Sequence, residues 1–190
     1  MKKIIVCMIG LFVMSGAYAS TTEVLQDQEY LDAIWWMYDN NITKYGNGAD
    51  FDPHSIVLRE HAAKFLTDFA VNILHETIDT TKDCEFKDLR QWDPTLSNAI
   101  LNSCYLNIFY GSNQKFYPTQ PLTKAESIVT LVRVLDGKQS EVDQRVWRAN
   151  YTKRANQIWL SKETDAAAQD RTLSRYEFAL MLYRSRNLAK

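Results

Sequence analysis

What this sequence lacks first is a surplus of either charge. Lysine and arginine number 22 against 23 aspartates and glutamates, a formal net of −1. That balance excludes the basic footprint that nucleic acid or an anionic membrane surface selects for. Past Met14 there is no long hydrophobic run, so no transmembrane helix is expected in the mature chain. No alternating apolar–polar stretch argues for strands. No Gly-x-Ser-x-Gly elbow, P-loop or dinucleotide fingerprint occurs. The histidines, His54, His61 and His75, lack metal-ligand spacing, and Asp50-x-Asp52 lacks the further ligands of a calcium loop. No carboxylate pair is singled out for glycoside hydrolysis. The expectation is a protein that is not an enzyme and needs neither metal nor cofactor.

What is present begins with an export signal. A basic lead, Met1-Lys2-Lys3, precedes the apolar core Ile4 to Met14, and Ala17-Tyr18-Ala19 forms a small-x-small cleavage site. Residues 1–19 read as a signal peptide, too short to span a bilayer, and Cys7 lies inside its core. The mature chain then starts near Ser20 with two cysteines, Cys84 and Cys104. In an oxidising compartment one intramolecular disulfide is expected, and the loop it closes is worth about 3 kcal/mol.

The remainder repeats. FDPHSIVLREHAAKFLTDFAVNIL from Phe51 and FYPTQPLTKAESIVTLVRVL from Phe116 share Phe-x-Pro, a polar turn, a basic residue and an amphipathic helix. Their apolar stripes are Ala62, Phe65, Leu66, Phe69, Ile73 and Ala125, Ile128, Val129, Val132, Leu135. RTLSRYEFALMLYRSR opens the same way, with Phe178, Met181 and Leu182 in its stripe. Each is preceded by another expected helix: 30–42, with Leu31, Ile34, Trp35 and Tyr38 as its apolar face; 94–109, with Leu96, Ile100 and Cys104; and 146–160, with Tyr151, Ala155, Ile158 and Trp159. Asp93-Pro94 is a start signal, and Gly46, Gly48, Gly111 and Gly137 mark turns. Thr123 and Glu126 form a capping box around Lys124, a cation at the positive end of a helix dipole, where about 0.3–1 kcal/mol should be lost. Arg59 and Arg175 break the same rule at the same relative position. A rule broken three times in register signals a site or a compensating partner.

The order helix, Gly-x4-Phe-x-Pro, Thr-Arg-Ala-Glu-like helix start resembles the S-layer homology module. YGSNQKFYPTQPLTKAE (110–126) matches it apart from Lys124 for arginine. The first copy keeps Arg59 but has Leu58 and His61 where the module has threonine and glutamate. The third keeps LSRYE and has DAAAQDR in place of Phe-x-Pro. CEFKDL (84–89) is similar to the start of a module. The resemblance implies an all-α fold in which three helix–turn–helix repeats form a pseudo-threefold bundle. The division is 20–28 as an N-terminal linker, then repeats at 29–80, 81–140 and 141–190 in one cooperative domain. It also implies an exported cell-surface protein that holds an anionic, even pyruvylated, envelope polysaccharide noncovalently in inter-repeat grooves, as an S-layer or cell-wall anchor.

The implied ligand residues are Arg59, Lys124 and Arg175. A simpler use of the same cations is an inter-repeat salt bridge, for instance to Asp52, Asp88 or Asp170. Trp35 and Trp36 point about 100° apart, so one packs and one edges a groove; Trp36 is assigned the groove and a sugar-stacking role. Trp92, Trp147 and Trp159 are read as structural. The alternative function is a structural or protein-interaction subunit of the envelope that has lost glycan binding, with other surface proteins as partners.

Overall fold

The computed structural model describes residues 20–89, 93–138, 148–160 and 166–188. The signal-peptide reading, Trp92 and Trp147 lie outside the described residues. The described chain is all-α. Its helices are α1 (Thr21–Val24), α2 (Gln28–Asp39), α3 (Arg59–Asn72), α4 (Pro94–Tyr105), α5 (Lys124–Asp136), α6 (Ala149–Gln157), α7 (Ala166–Asp170) and α8 (Arg175–Ser185). None of the described helices is long and apolar enough to cross a membrane.

Local chemistry explains most of the boundaries. Asp27 opens α2 by accepting from the amides of Glu29 and Tyr30, and Asp93 opens α4 the same way, with Pro94 in its first turn. The capping box expected at Thr123–Glu126 forms, and Ser174 and Glu177 make a second one at the start of α8. The first helices of the three repeats share one ending. Asn41, Asn107 and Trp159 turn the chain at φ 56°, 59° and 61°. The next residue then donates back: Ile42 to Met37, Ile108 to Ser103 and Leu160 to Ala155, at 2.8, 2.8 and 2.9 Å. Gly111 sits in the turn after α4, where a Cβ would lie 2.5 Å from the Lys115 carbonyl, so only glycine fits.

The three repeats meet in a closed backbone ring. The Val57 amide donates to the Leu173 carbonyl, Leu173 to Leu122, and Leu122 to Val57, at 2.9, 3.1 and 2.8 Å. All three side chains are fully buried. A second tier repeats the cycle just outside: Arg59 donates to Gln120, Lys124 to Arg171 and Arg175 to Ser55, through their backbone amides. These contacts satisfy the amides that open α3, α5 and α8, which have no intrahelical acceptor. They appear as isolated bridges (Leu58 with Pro121, Thr123 with Thr172, Ile56 with Ser174), and among the described residues no sheet forms.

Helix packing follows the same cycle. The first helix of each repeat packs against the second helix of the repeat before it: α4 on α3, α6 on α5, and α2 on α8. The α3, α5 and α8 helices meet at the centre. Their buried faces carry Phe65, Leu66 and Phe69, then Ile128, Val129 and Val132, then Phe178, Met181 and Leu182, as the stripes predict. Cys84 and Cys104 are disulfide-bonded, with Cα atoms 6.0 Å apart, and this ties the segment before the 3-10 turn Lys87–Leu89 to α4.

Three expectations change. On α2 the buried face is Tyr30, Ala33, Ile34 and Met37, while Trp35 and Tyr38 are 62% and 46% exposed. Both sets have helical spacing; α8 is the partner, and it covers the face carrying the smaller residues. On α6, Tyr151 and Ala155 are buried as expected, but Ile158 and Trp159 fall past the helix end. Residues 20–28, read as a linker, carry α1, bury Val24, and supply Asp27, which accepts 2.5 Å from the Tyr176 hydroxyl.

Candidate functional site

Arg59, Lys124 and Arg175 are the first residues of α3, α5 and α8, and each reaches across the seam to the next repeat. Arg59 donates from Nε to the Phe116 carbonyl at 3.0 Å and from Nη2 to the Tyr110 carbonyl at 3.2 Å. Its guanidinium carbon lies 5.1 and 4.9 Å from the Phe109 and Phe116 ring centroids, and Nη1 is 3.7 Å from Glu126. Burial pushes its pKa below the ordinary arginine value, opposed by the charges of Glu126 and Asp88. Arg175 makes the equivalent contact, Nε to the Phe51 carbonyl at 2.6 Å, with its guanidinium 4.2 Å from the Phe51 ring. The two phenylalanines are those of the two Phe-x-Pro turns. Each turn thus offers a ring and a carbonyl that together seat a guanidinium.

Lys124 faces the third repeat, which has no Phe-x-Pro. The sequence supplies no Phe-x-Pro phenylalanine for such a seat there, and a lysine stands where the other two seams have arginine. The lysine instead lies close enough to Glu177 to help depress that carboxylate's pKa. Burial raises the Glu177 pKa, but bonds from Arg171 and the Ser174 amide outweigh it, and the net shift is downward. Arg171 holds Glu177 through Nη1 at 2.8 Å and through Nη2.

Among the described residues, the aspartates proposed as partners form no salt bridge to these cations and make their hydrogen bonds elsewhere, although Asp88 and Asp52 act on Arg59 and Arg175 through their charge. Asp88 accepts from the Phe116 and Tyr117 amides at 2.9 and 2.8 Å. Asp52 accepts from the Ser55 hydroxyl, and Asp170 pairs with Arg148.

The seams also differ at the residue two places on from each cation. Arg59 meets Glu126, Lys124 meets Glu177, and Arg175 meets His61, because the first repeat has histidine at that position. In the third-to-first seam histidine thus replaces that glutamate; burial lowers the Arg175 pKa, opposed by the charges of Tyr45, Asp52 and Tyr30. Burial and the Arg175 charge lower the His61 pKa, favouring the neutral ring. Its Nδ1 is buried with no hydrogen-bond partner, and Nε2 lies 3.6 Å from Glu60. A groove of about 430 Å³ opens here, lined by Arg175, His61, Lys44, Lys64, Tyr45 and Asp93 among others. Lys64 pairs with Asp68 at 2.5 Å, and Asp93 is occupied as the α4 cap.

A second groove, about 590 Å³, follows the Lys124 seam between Trp159, Leu180, Met181 and Arg184. At the Arg59 seam the guanidinium itself is enclosed, with its side chain 11% exposed. Trp36 is half-buried, edge-on to Phe69 and Tyr183 at 6.1 and 5.8 Å, while its neighbour Trp35 is exposed. Trp159 was read as structural and is 71% exposed at a groove wall. Aligning the three helix ends would have set it opposite Asn41 and Asn107, outside any core stripe. Among the described residues no group of histidine, cysteine, aspartate or glutamate side chains could hold a metal ion.

No curated protein matches the chain. The family comparison matches one module where the resemblance implies three, and it falls on the repeat that keeps both Phe-x-Pro and the threonine–glutamate box: residues 85–126 match the S-layer homology domain.

Proposed function

We propose that this is an exported surface protein that anchors to the cell wall by gripping an anionic envelope polysaccharide in the seams between repeats at 29–80, 81–140 and 141–190. The observation that carries this reading is Arg175. Its Nε is committed to Phe51, no hydrogen bond from its Nη nitrogens occurs among the described residues, and it faces a groove with histidine where the other seams have glutamate. A carboxylate-bearing sugar entering that groove gains a forked charge-assisted bond and adds a counter-charge where the other seams carry glutamate. Lys124 serves its own seam as a point charge. Arg59 belongs to the same set, yet its bonds to two carbonyls and its nearness to Glu126 favour a packing role. Trp36, packed on Phe69 and Tyr183, lines neither groove described above.

The test is retention of the mature protein on purified envelope polysaccharide, comparing wild type with Arg175→Ala. Retention should fall several-fold in Arg175→Ala at an unchanged fold. Equal retention of a correctly folded Arg175→Ala protein would remove Arg175 as the ligand group.

A second reading, assembly with itself or another surface protein, is favoured by Trp35 and Tyr38. They stand exposed as an edge-to-face pair, 6.1 Å between centroids, on the outer face of α2. Light scattering over a concentration series decides it: a monomer at every concentration that still binds glycan rules out self-assembly.

A further inference from the structure

The first repeat gives up a capping box that the other two keep. Thr123 with Glu126 and Ser174 with Glu177 open α5 and α8, whereas Leu58 opens α3 with no side-chain bond. His61 stands where the glutamate would complete the box. Its ring is poorly served: Nδ1 is buried with no hydrogen-bond partner, and Nε2 comes only within 3.6 Å of Glu60. A buried nitrogen left unbonded is uncommon enough to need a reason.

Of the three histidines, His61 alone lines the Arg175 groove. Charged and titratable groups reach this groove from every element around it. Arg175 comes from α8, Lys44 and Tyr45 from the loop after α2, Asp93 from the start of α4, and Lys64 from α3. Glu60 flanks Nε2 from the same helix, and Lys64 is paired with Asp68. Asp93 caps α4, and the Lys44 ammonium lies 5.2 Å from the Tyr45 ring centroid. Burial and the Arg175 charge are what hold the His61 ring neutral. An anion seated against Arg175 offsets that repulsion, so the imidazole is easier to protonate once the groove is filled. By reciprocity, a protonated ring tightens the grip on the anion by the same factor. A glutamate here would repel the anion instead.

We propose that His61 makes anion capture at the Arg175 seam proton-linked, the groove taking up to one solvent proton on the imidazole with each acidic sugar it binds. The protein then holds its polymer more firmly in acid surroundings and releases it more readily in alkaline ones. This rests on the polysaccharide reading above and adds its regulation.

The probe is purified envelope polysaccharide, titrated calorimetrically into the mature protein in two buffers of different protonation enthalpy, which counts the protons taken up. Wild type should take up protons on binding, and should bind about ten-fold more tightly at pH 5.5 than at pH 8 with its helical circular dichroism unchanged. The polymer's carboxylates stay largely ionised over this range, so the change belongs to the protein. His61→Gln should bind with no proton uptake and with one affinity at both pH values. If wild type binds without uptake or pH dependence, or folded His61→Gln keeps both, this inference is overturned and the Arg175 reading stands. If Arg175→Ala binds as tightly as wild type at both pH values, or wild type does not bind, the two fall together.

Discussion

Arg59 donates its Nε to the Phe116 carbonyl at 3.0 Å while its guanidinium rests 4.9 Å from the same residue's ring, across a separation of 57 positions. One side chain thus closes the seam between two repeats by two kinds of contact to a single residue. The same device joins Arg175 to Phe51. It explains why a cation is tolerated at a helix start: the modest dipole penalty is offset by a partner on the neighbouring repeat.

Removing that device should loosen the bundle. Arg59→Ala strips the Phe116 and Tyr110 carbonyls of their charged donor and should cost about 2–3 kcal/mol in urea unfolding. Phe116→Leu, which keeps the carbonyl but loses the ring, should cost less than Arg59→Ala. Equal losses would show that the ring contact, not the hydrogen bonds, holds the seam.

The capping boxes allow a trade between stability and binding. Thr123→Ala should lose about 1 kcal/mol. Conversely, Leu58→Thr with His61→Glu installs the missing box in the first repeat and should raise the unfolding midpoint. The same change sets a carboxylate opposite Arg175, so polysaccharide retention should drop while stability rises. A variant more stable and equally retentive would show that the Arg175 seam does not bind an anion.

Reduction should expose the contribution of Cys84–Cys104. Replacing both with serine should destabilise by about 3 kcal/mol, read from urea midpoints with and without reductant. Reductant should shift the midpoint of wild type and leave that of the double variant where it is.

Acidification should act through His61. Its folded-state pKa lies below the ordinary value of 6.5, because burial and the Arg175 charge disfavour the imidazolium. The unfolded chain therefore takes up the proton first. Stability from this group is complete above pH 6.5 and is lost as pH falls from there toward the folded-state value. His61→Gln should remove that part of the pH dependence, measured as the difference in thermal midpoint between the two proteins from pH 8 to 5. A bound anion beside Arg175 should raise the His61 pKa, which proton NMR of the ring would report. An unmoved His61 resonance on adding polymer would place the anion elsewhere.

Much of the helical core was legible in advance. The stripes of α3, α5 and α8 were readable because apolar residues at helical spacing have one way to be buried together. Asp93-Pro94 and Thr123–Glu126 announced helix starts through chemistry confined to four residues. The α2 face was misjudged because Leu31, Ile34, Trp35 and Tyr38 satisfy the same period as Tyr30, Ala33, Ile34 and Met37. Period alone cannot choose between rotations of one helix when aromatics lie on several sides.

By itself the sequence determined the six helices of the three pairs, the turn glycines, the pair of cysteines, and a cation at each of three equivalent helix starts. Only the tertiary structure decided what those cations meet. The first helix of each repeat packs on the preceding repeat, and a backbone ring at Val57, Leu122 and Leu173 closes the cycle. Arg59 therefore answers to Phe116, Lys124 to Glu177 and Arg175 to His61. The reason is physical: spacing along the chain encodes which face of a helix is apolar, whereas the charge opposite a given side chain depends on closure between residues more than fifty positions apart.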